Sequence, residues 1–258
     1  MFNHVFDEGG VYIKNLSNTA DQYGIGQYRF PLNYELLNQE FVISDGENRH
    51  RLHFIRKDYM ELDGKGCDYE ALKIEATTYF VRIGFHVAIV DLGQGLITLI
   101  QGDTYFYGKI ENYEKSDGAE NPAHSDAKDE MVGTAVSWVL GCERYVVHEF
   151  IEEGKCRVGW SPSETATNDH PCKATKIKEP IYLIDIKGTV PYYVCAPVLT
   201  ERFIALQDYE HMLTVGCVMG GGMIPTMISG YARILDEDEN VAHLIGGTSV
   251  KLDTGEVL

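Results

Sequence analysis

At 258 residues, with 44% apolar and 24% charged side chains, the chain has the size and composition of one large or two ordinary globular domains. Asp and Glu outnumber Lys and Arg by 39 to 22, a formal charge of −17, and that field argues against nucleic acid or an anionic membrane as partner. Six scattered cysteines with no CxxC pair predict reduced thiols in a cytoplasmic protein, neither a disulfide framework nor a zinc site. The start, MFNHVFDEGG, does not read as a signal peptide, and no run approaches the roughly 18 apolar residues of a membrane span.

Residues 1–23 show no strong period, and GIGQYRFPLNY at 24–34 suits a turn or edge. PLNYELLNQ at 31–39 is the best short helical candidate. From Phe41 the pattern is β: FVIS, a turn at Asp45-Gly46, then RLHFI, which predicts a hairpin. A turn at Asp63–Gly66 leads into a long strand ending at Ile83, followed by HVAIVDL, LITLI and TYFYGKI with glycine-bearing turns between them. Short strands joined by short turns predict an antiparallel meander, and a barrel finishes one without open edges.

The polar, acidic stretch EKSDGAENPAHSDAKDE predicts a linker near 116–130 between domains at 1–115 and 131–258. The second half repeats the style with TAVSWVL, RYVVHEFI, CRVGW, YYVCAPV, RFIALQ, MLTVGCVM and SGYARIL, and ends in an acidic segment at 236–258. One stretch returns almost literally: KIEATTYFVRI at 73–83 reappears as KIKEPIYLIDI at 176–186, an offset of 103. The same offset pairs Leu37 with Leu140 and Glu40 with Glu143. A repeat of this length is domain-sized. The reading is all-β: two tandem antiparallel barrels related by internal duplication.

HSDAKDEMVGTAVSWVLGCERYVVHEF at 124–150, the returning strand, and CAPVLTERFIALQDYEHMLTVGCVMGGG at 195–222 resemble the family named molybdenum cofactor biosynthesis protein F. The resemblance covers almost the whole chain and implies a cytosolic protein built from lipocalin-like (calycin) β-barrels. It brings no catalytic motif to be carried over residue by residue. Such barrels pack a first-strand tryptophan under an arginine from the closing strand, a structural role that Trp138 and Arg233 would fill.

Alternation sorts the candidate chemistry. On the repeated strands Ile74, Ala76, Thr78, Phe80 and Arg82 share one face, and Ile177, Glu179, Ile181, Leu183 and Asp185 share its equivalent. If that face is the inner one, Arg82, Glu179 and Asp185 are charges turned toward a cavity and need a ligand or a partner. The opposite face, with Tyr79, Val81, Tyr182, Ile184 and Ile186, is an equally open choice. His148 and Glu149 form a candidate acid/base pair, although adjacent strand residues point to opposite faces. Trp160 could stack an aromatic ligand, and Tyr79, Tyr182, Tyr192 and Tyr193 could polarise a carbonyl. His124, Asp126, Asp129 and Glu130 resemble hard-metal ligands but match no EF-hand spacing, so they read as a solvated linker.

Two functions fit. The first is a binding protein for a small aromatic or carbonyl-containing metabolite, with Trp160, Tyr79, Asp185 and Tyr193 as ligand contacts and the second barrel as the site. The alternative is a cofactor-independent isomerase, decarboxylase or lyase in which His148, Tyr182, Arg82 and Glu179 act on the substrate. No cofactor or metal is expected in either case, and two copies could pair as a homodimer.

Overall fold

The structure, a computed structural model, describes residues 30–113, 124–141, 144–160, 168–190, 200–220 and 223–234. All regular elements among them are strands, and no helix is long and apolar enough to cross a membrane. The first eight are β1 (Glu40–Ser44), β2 (Arg49–Arg56), β3 (Tyr59–Leu62), β4 (Lys65–Glu75), β5 (Thr78–Ile83), β6 (His86–Asp91), β7 (Leu96–Gln101) and β8 (Thr104–Ile110). A short β9 (Ser125–Asp126) follows, within the stretch read as a linker. Then come β10 (Ala135–Gly141), β11 (Arg144–Glu152), β12 (Lys155–Trp160), β13 (Asn168–Lys178), β14 (Ile181–Val190), β15 (Thr200–Asp208), β16 (Leu213–Gly220) and β17 (Met223–Ile234).

Strands β1 to β8 pair in sequence order, all antiparallel, and β8 returns to β1 through Ile43↔Ile110, so the barrel is closed. Strands β10 to β17 make a nearly closed second barrel. There β17 pairs with β10, and a short β12–β13 pairing from Lys155↔Pro171 to Val158↔Asn168 joins the remaining edges. Two compact units result, one of Phe30–Ser125 with Lys176–Glu179 and one containing Asp126–Thr175 and the chain from Pro180.

Strand alternation builds each interior. In β1, β3 and the middle of β2 every second residue is buried, and Phe41, Ile43, Leu52, Phe54, Met60 and Leu62 enter one apolar core. Strand β5 is buried on both faces, which is why it reads as a nearly continuous apolar run. Of its two faces, the inner one carries Tyr79, Val81 and Ile83. Tyr182, Ile184 and Ile186 do the same in the second core.

The 31–39 segment is a turn, not a helix. Asn33 caps Glu35 N at 2.8 Å, single i→i+3 bonds run from Leu37 N to Tyr34 O and from Gln39 N to Leu36 O, and Asn38 sits at φ 65°. One turn is too short to propagate as a helix, but it tucks Leu36 fully into the first core. Residues 129–134 repeat it. Val132 N bonds Asp129 O, Thr134 N bonds Met131 O, Gly133 takes the left-handed position at φ 87°, and Met131 enters the second core. Both turns are tied to the following hairpin by the same two bonds. Asn38 N to Phe54 O and Phe54 N to Gln39 O match Gly133 N to Phe150 O and Phe150 N to Thr134 O.

Structural equivalence therefore corrects the upstream part of the repeat. From Tyr34 to Asp129 the offset is 95, and from Met60 to Cys156, judged by their ladder positions, it is 96. It becomes 103 at the hairpin that ends β4 at Glu75 and β13 at Lys178, and 117 at the β6–β7 and β15–β16 turns, where Asp91↔Leu96 matches Asp208↔Leu213. Glu40 opens β1, and the 95-residue equivalence sets Ala135, which opens β10, against it, so its match with Glu143 by sequence is coincidental. The drift comes from connections of seven residues, 161–167, and nine residues, 191–199, where the first barrel has two-residue turns, and from the longer strands beside them, β12 against β3, β14 against β5 and β15 against β6.

Candidate functional site inside the second barrel

The ladder equivalence allows the two interiors to be compared position by position. In the first barrel the inner positions of Leu52, Val90 and Leu92 are apolar, with Leu52 and Val90 fully buried. In the second barrel the equivalent residues are His148, Gln207 and Tyr209. The registers Phe41↔Leu52 and Val136↔His148 correspond, as do Tyr79↔Val90 and Tyr182↔Gln207. Leu92 N bonds Thr77 O and Tyr209 N bonds Pro180 O, fixing the third pair.

These three residues form one chain. The Tyr209 hydroxyl donates to Gln207 Oε1 at 2.6 Å, and Gln207 Nε2 meets His148 Nδ1 at 3.3 Å. His148 is fully buried between Val136 and Val158 in the ladders, with its ring edge-on to Phe203 at 5.1 Å. Burial, with a smaller contribution from His170, lowers its pKa to about 3, so the imidazole is neutral at physiological pH. Burial also raises the Tyr209 phenol well above its ordinary value, and charges on Cys156, Cys172 and Tyr182 would add to that shift. Aromatic rings wall the chain: Trp138 lies edge-on to Tyr209 at 6.0 Å, and Tyr182 to Tyr209 at 5.8 Å.

Two further polar atoms lie buried nearby without a hydrogen-bond partner among the described residues, Trp138 Nε1 and His170 Nε2. Their equivalents in the first barrel are Ile43 and Cys67, judged from the Ile43↔His50 and Met60↔Cys67 registers. An apolar filling would be more stable, since one buried leucine contributes about 1.5–3 kcal/mol and an unsatisfied buried polar atom costs about 1–3 kcal/mol. The second interior thus carries a linked polar set where the first has Leu52, Val90 and Leu92, and the first buries an unpartnered hydroxyl of its own only at Tyr69 among these inner positions.

The residues singled out from sequence distribute unevenly around this set. His148 and Tyr182 belong to it. Glu149 points the other way and pairs with Arg157 at 3.3 Å, so the two are not an acid/base pair in one cavity. Tyr182 donates its hydroxyl to Glu130 at 3.0 Å, and Tyr79 in the first barrel donates to Glu35 at 2.6 Å, so both tie the turn before the first strand of their barrel. Arg82 and Asp185 occupy equivalent positions on the outer face, fully buried yet ion-paired. Arg82 meets Asp68 and lies 3.5 Å from Glu70, while Asp185 takes a two-pronged pair from Arg202 at 2.8 and 2.6 Å. Glu179 is exposed in the β13–β14 turn beside Lys176 at 2.6 Å, not on an inner surface. Trp160 lies opposite Val146 in the β11–β12 register; its side chain and the whole of Tyr192 and Tyr193 fall outside the described residues. Trp138 is buried as expected; the register sets Ala232 opposite it and Arg233 opposite Ser137, and the Arg233 side chain falls outside the described residues.

His124 is buried, not solvated. Its Nδ1 meets the Thr98 hydroxyl at 2.7 Å and its Nε2 lies 3.9 Å from Asp91. It lines a cavity of about 350 Å³ on the first unit, with Ser44, Tyr107 and Lys109 among the other walls. Apart from His124, that cavity contains none of the residues singled out from sequence for chemistry. Among the described residues no group of three or more His, Cys, Asp or Glu side chains is arranged to hold a metal ion.

Gln207 and Tyr209 were missed by sequence reasoning. Each is an ordinary residue near a strand end, and the only signal is their alignment with Val90 and Leu92 once the offset has shifted to 117. Comparison with models of known protein families gives no match to this chain, and neither does comparison with curated proteins.

Proposed function

We propose that the protein binds an uncharged small molecule, aromatic or carbonyl-containing, inside its second barrel. The observation that carries this is the replacement of Leu52, Val90 and Leu92 by the linked set His148, Gln207 and Tyr209 at equivalent inner positions. His148 and Tyr209 are both shifted toward their neutral forms, and the walls are aromatic. This combination suits a ligand that offers hydrogen-bonding groups without charge. Trp138 Nε1, without a partner among the described residues, supplies a donor for a ligand oxygen, and His170 Nε2 a second anchor.

Catalysis by acid and base in the same interior is the competing reading. A general base works best with a pKa near the operating pH, and His148 at about 3 is far from that, which favours binding over turnover. On the binding reading the protein is a cytoplasmic barrel protein similar to the molybdenum cofactor biosynthesis protein F family, and its partner is a small molecule. The charge of −17 supports excluding nucleic acid and anionic membrane.

A thermal-shift screen tests the reading, using aromatic aldehydes, amides, amines and acids, with mass spectrometry of each hit. A compound that raises the midpoint and is recovered unchanged supports it. A compound that is consumed assigns an enzyme instead, and its product identifies the reaction.

A further inference from the structure

We propose that Cys156 and Cys172 form a redox-active dithiol in the second barrel, with Cys172 attacking a hydroperoxide and Cys156 resolving the product. Cys156 faces His170 across the β12–β13 ladder, and Cys172 lies two residues further along β13 on the same side. Both side chains reach the second core, Cys156 fully buried and Cys172 partly exposed. Cys172 N bonds Gly154 O at 2.9 Å, which holds the two strands in register at this point. In the first barrel the equivalent positions are Met60 and Tyr69, both filling the apolar core, so the thiol pair belongs to the second barrel alone among the described equivalents.

Diagonal neighbours across an antiparallel ladder lie about 7–8 Å apart, beyond disulfide geometry, so closing the bond requires the β12–β13 backbone to shift at this point. The two thiols are close enough to divide their acidity. The Cys156 side chain holds Cys172 below the ordinary thiol value, while burial first and Cys172 second push Cys156 up. The more acidic thiol is also the more exposed one, which is the arrangement of an attacking and a resolving cysteine.

The chemistry balances with one hydroperoxide. The Cys172 thiolate attacks the peroxide oxygen, the O–O bond breaks, and the leaving alkoxide or hydroxide takes a proton, leaving a sulfenic acid on Cys172. The Cys156 sulfur then attacks the Cys172 sulfur, the S–O bond breaks, and water leaves with the Cys156 proton. The peroxide is reduced by two electrons, and the two thiols become one disulfide. That disulfide spans the pairing that joins the edges of the second barrel, beside Tyr209. The inference does not depend on which small molecule the interior binds.

The test treats the folded full-length chain with hydrogen peroxide and maps it with trypsin under non-reducing conditions. Cleavage after Arg157 separates the two cysteines, so their disulfide appears as two joined peptides. The expected result is loss of two hydrogens with Cys156 joined to Cys172, formed before Cys67 or Cys217 is oxidised, and a higher unfolding midpoint in the oxidised protein. In Cys156→Ser, whose hydroxyl keeps a donor beside Cys172, Cys172 should be trapped as a sulfenic acid by a dione reagent, while in Cys172→Ala, Cys156 should stay a thiol. The proposal is overturned if the folded wild-type chain forms no such link, if the link appears only in denaturant, or if another cysteine reacts first. Because the wild-type map uses no variant, a variant that fails to fold leaves the decision intact.

Discussion

The Tyr182 hydroxyl donates to the Glu130 carboxylate at 3.0 Å, the same bond that Tyr79 makes to Glu35 at 2.6 Å in the other barrel. Each fastens the turn that inserts Met131 or Leu36 into its core. Tyr182→Phe should therefore lower stability by about 1.5–3 kcal/mol, the net worth of a bond to a charged group, and Tyr79→Phe should lower it as well. Urea unfolding of the two variants measures this. A much larger loss for Tyr182 alone would show that it does more than hold the turn. For the first barrel the effect depends on pH. Lys73 first, then Tyr79 and Asn33, depress the Glu35 pKa from 4.5 to about 2. The Glu35 contribution is thus full above about pH 4.5 and disappears as pH falls toward 2.

Met212 stands at φ 54° in the β15–β16 turn, and its equivalent in the β6–β7 turn is Gly95 at φ 66°. Asp208 and Asp91 accept the backbone N–H of His211 and Gln94 at 3.1 Å in the same way, so the two turns share one geometry. A left-handed non-glycine residue costs about 1 kcal/mol or more. Met212→Gly should raise stability by about 0.5–1 kcal/mol, and Gly95→Ala should lower it, both read from urea midpoints.

The fold was legible because strand alternation and turn residues are local signals, and the hairpins at Asp45-Gly46 and Gly102-Asp103 stand where the sequence put them. Only one part of the duplication was legible. The β4–β5 and β13–β14 hairpins kept their residues, whereas elsewhere the copies keep burial and backbone bonds while side chains change. Leu36 became Met131, and Gly95 became Met212. The site was harder still. His148 could be picked by residue type, but a polar interior is visible only against the apolar one it replaces, and the added connections hide that alignment.

Asp185 is buried with Arg202 as its two-pronged partner. Truncating one member of such a pair strips a buried charge of its two-pronged partner, and Arg202→Met should cost about 3–5 kcal/mol. Adding Asp185→Leu should recover most of that loss, because an apolar pair can replace a buried ion pair at little cost. Thermal unfolding of the single and double variants checks the cycle, and a double variant no better than Arg202→Met would sink the assignment.

His148 makes the second barrel sensitive to acid. Its folded pKa, about 3, lies below the ordinary 6.5, so the unfolded chain binds the extra proton between these values. Stability from this group is complete above about pH 6.5 and falls by at most about 1.4 kcal/mol per pH unit as pH drops toward 3. His170 is shifted in the same direction by burial and adds to the slope. His148→Leu should flatten the loss of stability between pH 6 and pH 4, in denaturant titrations at each pH.

The most direct measurement compares the wild type with His148→Leu/Gln207→Val, which gives the second barrel the apolar residues of the first. Both would be titrated with uncharged aromatic aldehydes and amides, and with the corresponding acids and amines, by thermal shift. Uncharged compounds that raise the wild-type midpoint and leave a folded double variant unmoved are the predicted result. Equal shifts in both proteins, or shifts from the charged compounds alone, would contradict a binding site built on the interior chain of the second barrel.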